Sequence, residues 1–122
     1  MAHGIILFGH GARDARWKAP FDKLEARLAH VHPGPVSLAF LELMAPDLPA
    51  AIDAQVGQGC ERITVIPVFF GQGGHLRRDL PEIVEQCRAR HPQIEIRCTG
   101  AAGEDEGVLA AIVEFCLEQT RE

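Results

Sequence analysis

Residues 62–83 read RITVIPVFFGQGGHLRRDLPEI, and the hydrophobic period changes within that short span. From Arg62 to Phe70 the run is rich in β-branched and aromatic side chains, as in a strand covered on both faces. Gly71, Gly73 and Gly74 then surround a single glutamine, and His75 follows. After it Leu80, Ile83, Val84 and Cys87 recur at helical spacing. Asp79 and Glu82 stand three apart, which predicts an N-cap and its reciprocal partner at the start of that helix. Pro67 has no N–H to give to a ladder, so a bulge or a local loss of pairing is expected near the strand's far end.

The same alternation extends in both directions. Upstream, GIILF (4–8) is a short apolar run bounded by glycines, and VSLAFLE (36–42) is a second strand. Between them, ARWKAPFDKLEARLAHVH (15–32) carries Phe21, Leu24, Leu28 and Val31 on one helical stripe, with Pro20 near its start and Pro33 beyond its end. PDLPAAIDAQVGQGC (46–60) repeats the pattern through Leu48, Ile52 and Val56. Downstream, IEIRCTG (94–100) predicts a fourth strand, and Val108, Leu109, Ile112, Val113 and Cys116 a last helix. Strand and helix alternating four times predict an α/β fold with a parallel sheet and helices on both faces. Right-handed crossovers favour a flavodoxin-like order, 2-1-3-4, with residues 1–122 as a single domain.

At 122 residues, 47% hydrophobic and 24% charged, the composition is that of one globular domain. A net charge of −5 argues against a nucleic-acid partner, which calls for a basic face. Cys60, Cys87, Cys98 and Cys116 form no C-x-x-C pair, so a reducing cytoplasm is the expected setting. The opening MAHGIILFGHGARD has neither the basic leader nor the apolar length of a signal peptide, and no stretch approaches membrane-spanning length.

In open parallel sheets a ligand lies beyond the carboxyl ends of the strands, where the winding direction reverses. His10 follows strand one in LFGHGARD, His75 follows strand three, and Glu42 ends strand two. Two imidazoles and a carboxylate are ordinary ligands for a divalent first-row metal and leave coordination positions open. Glu42 equally suits a solvated or helix-capping role, while for His10, flanked by Gly9 and Gly11, the functional reading is favoured over an incidental turn histidine. GQGGH is no phosphate loop, since no Gly-Lys-Ser/Thr follows, and a nucleotide cofactor is not expected. His3, His30, His32 and His91 fall at a strand start or helix ends, and Trp17 and Phe21 read as packing residues. Arg13, Arg16, Lys18, Arg77 and Arg78 flank the two site histidines in sequence, which favours a polycarboxylate or phosphate ligand.

GHGARD (9–14), AFLELMAPDLPAAI (39–52) and ITVIPVFFGQGGHLRRDLPEI (63–83) resemble the short, single-domain form of sirohydrochlorin chelatase, among the class II, ATP-independent tetrapyrrole chelatases. The resemblance runs over nearly the whole chain. It implies insertion of divalent cobalt, as a substrate, into sirohydrochlorin for cobalamin biosynthesis. His10 and His75 would hold the metal and His10 would also accept a proton; the chemistry of insertion, apart from the resemblance, assigns Glu42 to assist it. Gly71, Gln72, Gly73, Gly74, His75 and Leu76 would contact the tetrapyrrole, as would the segment around Met44 and Ala45. Longer relatives carry two such halves, so a homodimer is implied. Ala12 stands where the family commonly has serine, and the chain has no histidine-rich tail, which leaves the route of metal supply open. Iron or nickel insertion, for siroheme or nickel tetrapyrroles, is an alternative to cobalt. A non-catalytic metal or tetrapyrrole carrier needs the same ligands. A histidine phosphatase would have arginine before the first histidine, where Gly9 stands.

Overall fold

The structure, a computed structural model, describes residues 2–71 and 73–121 and, for His75, the backbone alone. Its strands are β1 (Ala2–Gly9), β2 (Val36–Phe40), β3 (Cys60–Pro67) and β4 (Glu95–Cys98). Its helices are α1 (Ala19–Val31), α2 (Leu48–Gly57), α3 (Gly74–Arg90) and α4 (Glu106–Thr120), with 3-10 turns at Ala15–Lys18 and Ala102–Glu104. The sheet is parallel throughout in the order β2-β1-β3-β4. GIILF is central because both its faces are covered. Ile6 and Phe8 pack with Ile63 and Val65 beneath α2 and α3, while Leu7 meets Leu38, Phe40 and the α1 residue Phe21 on the other side. Ile6 and Ile52 are fully buried. Each such side chain contributes about 1.5–3 kcal/mol of transfer free energy.

Pairing between β3 and β4 stops at Val65 and Cys98, so Pro67 lies beyond the last β4 partner. The expected loss of pairing is therefore found, whereas the register shift between β1 and β3 falls at the opposite end, between Ala2 and His3. Val68–Phe70, assigned to the strand from sequence, have already left it.

The start of α3 corrects a sequence-based expectation. The helix begins at Gly74 with Gly73 as N-cap, so Asp79 is an interior residue and Pro81 lies inside the helix. Leu76, Leu80, Val84 and Cys87 are all buried on one stripe. Leu76 extends that stripe one turn further back than the run beginning at Leu80, and its burial outweighs the cost of glycine and proline in the helix. His75 consequently belongs to the first turn of the helix and not to the loop before it.

Helices α1 and α4 bury less of their stripes than their sequences predict. α1 rests mainly on the edge strand β2, and Leu24 and Val31 stay exposed. α4 packs chiefly on the 3-10 turn before it. Arg121 pairs with Glu114 and Glu118 along one side of α4, while Val113, Phe115 and Leu117 are 58%, 64% and 50% exposed. Among the described residues no helix is long and apolar enough to cross a membrane.

Candidate active site

His10 stands one residue past Gly9, which is in register with Phe40 of β2. The backbone around it is clamped to the segment after β2. Leu41 N–H donates to the Gly9 carbonyl at 2.9 Å, and Glu42 N–H to the His10 carbonyl at 3.2 Å. Gly11 makes this approach possible: its φ is +94°, and a Cβ there would overlap the Glu42 carbonyl oxygen. His10 and Glu42, thirty-two positions apart, are thus joined directly through their backbones. Both are exposed, and among the described residues neither the His10 imidazole nor the Glu42 carboxylate has a hydrogen-bond partner. An imidazole with both nitrogens uncommitted is equipped either to ligate a metal or to take a proton.

The segment after β2 turns sharply. Leu43 has a φ of +66°, and Phe40 N–H donates to the Pro46 carbonyl at 2.9 Å. Met44 is half-buried and packs on the α1-side core, while Ala45 is exposed at the rim. After β3, Val68 N–H donates to the Phe8 carbonyl at 2.8 Å, and the Phe69 carbonyl accepts from Gly103 N–H at 3.0 Å. Those bonds hold Phe70 with 67% of its surface exposed. Gly71, Gly73 and Gly74 are exposed. Gln72 and the His75 side chain lie outside the described residues, and the His75 backbone is in the first turn of α3. Leu76 is 4% exposed and its side chain belongs to the core under α2 and α3, so it supports the loop from beneath.

Near Gly9, at the end of β1, lies an apolar cleft of about 400 Å³, lined by Trp17, Phe21, Val68, Phe69, Phe70 and Gly103 among others. Trp17 and Phe21 stack with centroids 4.7 Å apart and are the packing residues expected from sequence. They approach Gly9 so closely that a Cβ there would come 2.8 Å from the Phe21 ring. The exposure of Phe70 was not legible from sequence, where it closes an apolar run.

The rim's positive charge is partly engaged within the chain. Arg16 donates to both Asp14 carboxylate oxygens, at 2.7 Å and 3.1 Å, and this bonding holds the Asp14 carboxyl below its ordinary value. Lys18 pairs with Asp22 at 3.1 Å. Arg13, Arg77 and Arg78 are exposed. Exposed pairs of this kind contribute little, so carboxylates of a ligand can exchange with Asp14 and Asp22 at small cost. The remaining histidines described lie elsewhere. His3 Nε2 is 2.7 Å from Thr64 Oγ1, His32 Nε2 is 2.7 Å from the His3 carbonyl, and His91 closes α3. His30 sits in the last turn of α1. Among the described residues no three histidine, cysteine or acidic side chains converge.

The family model described as CbiX matches residues 4–119. Sirohydrochlorin ferrochelatase of Bacillus subtilis (strain 168) is 31% identical over 115 residues, covering 92% of this chain and 43% of that protein. Sirohydrochlorin cobaltochelatase of Saccharolobus solfataricus is 29% identical over 117 residues, covering 91% of each. A crystal structure of a CbiX protein from Marinobacter aquaeolei VT8 superposes with a TM-score of 0.85 at 35% identity, covering 96% of each chain. The chain thus spans less than half of the ferrochelatase and most of the cobaltochelatase.

Proposed function

The chain belongs to the CbiX family, and on that premise we propose that it inserts a divalent metal ion into sirohydrochlorin without ATP. The observation that carries this reading is the clamp joining His10 to Glu42 at the β1 rim, one strand from the turn of α3 that holds His75. Insertion exchanges two pyrrole N–H protons for one M²⁺, so the site has to hold a metal and receive protons. In the proposed sequence His75 and His10 hold the hydrated ion first. As ring nitrogens displace His10 from the metal, the freed imidazole nitrogen takes one proton, and the Glu42 carboxylate stabilises the imidazolium formed. One nitrogen cannot ligate and accept a proton at once, which is why the steps are consecutive. The second proton leaves to solvent at this open rim. Met44, Ala45 and the loop Gly71–Gly74 are assigned to the macrocycle, and the exposed arginines to its peripheral carboxylates.

Cobalt is the favoured metal, because the match spans 91% of the cobaltochelatase's own length but 43% of the ferrochelatase's. Iron is the second reading, supported by the ferrochelatase at 31% identity. Histidine and carboxylate ligands do not themselves choose between the two, and nickel ranks behind both. The fitting experiment is anaerobic insertion into sirohydrochlorin, followed by absorbance, with Co²⁺, Fe²⁺ and Ni²⁺ in turn and protein at one-twentieth of the substrate. Many turnovers with Co²⁺ fastest support the proposal. Conversion that stops at one equivalent indicates a carrier, and metal-independent phosphatase activity a hydrolase.

We also propose a homodimer. The apolar side of α4 is left open, with Val113, Phe115 and Leu117 58%, 64% and 50% exposed, and a second copy packed on it would cover that surface. A second copy would supply the length by which the ferrochelatase exceeds this chain.

A further inference from the structure

Leu43 has a φ of +66°, and among the described residues it is the one non-glycine in the left-handed region. A leucine there brings Cβ against the following carbonyl, where glycine or asparagine would sit without penalty. The side chain adds nothing to the core in return, since Leu43 is 54% exposed and belongs to neither core cluster. The conformation is imposed from both sides, by the bonds from Leu41 and Glu42 to the β1 end and by the bond from Phe40 to Pro46. Strain kept by an exposed residue beside a reactive group points to a role in the site.

The sheet order gives that role a geometry. β1 lies between β2 and β3, so the segments carrying Leu43 and Phe70 leave the sheet on either side of His10. Each presents an exposed apolar side chain at the same rim. A flat ring with apolar faces and a charged perimeter needs such surfaces for its faces, while arginines serve only its edge. We propose that the left-handed turn at Leu43 presents its side chain to the macrocycle across from Phe70, making Leu43 a substrate-contacting residue that sets affinity. The inference rests on the tetrapyrrole reading above.

The test compares wild type with Leu43→Gly, Leu43→Ala and Leu43→Met. Metal-free sirohydrochlorin is titrated anaerobically by absorbance, with cobalt insertion rates, thermal midpoints and molar mass by light scattering alongside. Both Gly and Ala variants should bind the ring about tenfold more weakly, with kcat changed less than about threefold and Met restoring affinity. The Gly variant should nevertheless melt about 3–5 °C above the Ala variant, because glycine alone relieves the strain. Unchanged affinity in both, loss of affinity in Ala but not Gly, or a loss that tracks a fall in molar mass would each overturn the assignment while the chelatase reading stands. A wild type that neither binds nor metallates sirohydrochlorin would overturn both.

Discussion

Gly11 shows how tightly the rim around His10 is built. Its positive φ and its approach to the Glu42 carbonyl leave no room for a side chain, so Gly11→Ala should cost on the order of 2 kcal/mol and displace His10 from Glu42. A thermal melt and an insertion rate on the same sample check this, and retention of both values would show that the clamp is dispensable. Glu42→Gln keeps the shape and removes the charge. It should preserve the fold, since Glu42 is exposed, and slow insertion by about tenfold if the carboxylate supports proton transfer to His10. His10 and Glu42 were legible in the sequence because strand ends can be counted and the switch point follows from topology. Leu43, Phe70 and Leu76 were not, since a φ sign, an exposure and a commitment to the core stripe depend on where the chain goes next.

At the level of elements, α2 and α3 are held together by a clasp at the end of the sheet remote from the site. Asp53 of α2 lies 2.7 Å from His91 Nε2 and accepts from Arg90 Nη2 at 2.6 Å. The hydrogen bond with His91 is the largest influence and holds the Asp53 carboxyl below its ordinary value; partial burial opposes it, and the Arg90 charge adds to it. A depressed carboxyl contributes stability that is present above its unfolded pKa and is lost as pH falls through the folded one. Asp53→Ala should therefore cost on the order of 1 kcal/mol at neutral pH, and the difference from wild type should begin to shrink below about pH 4 and vanish only once pH is below the folded pKa. Urea unfolding at both pH values measures it, and an equal difference at each would mean that the charge is irrelevant. The helices themselves were legible from their stripes. The beginning of α3 was missed because Asp79 and Glu82 have the spacing of a cap, and local capping lost to the burial of Leu76 one turn earlier.

For the whole molecule, four alternations of strand and helix were enough to place β1 between β2 and β3, because crossover handedness leaves few other orders. The state of α4 was not legible, since an apolar stripe announces burial without naming its partner. If that partner is a second copy, Phe115→Asp should shift the molar mass in sedimentation from two chains to one and leave helix content intact. A wild type already monomeric at tens of micromolar would remove the dimer. The proposed metal-insertion site is tested most directly by the initial rate of anaerobic cobalt insertion into sirohydrochlorin for His10→Ala and His75→Ala, each confirmed folded by circular dichroism. Each substitution should lower the rate by about a hundredfold or more. Full wild-type rates in both would contradict the placement of the reaction between these two residues.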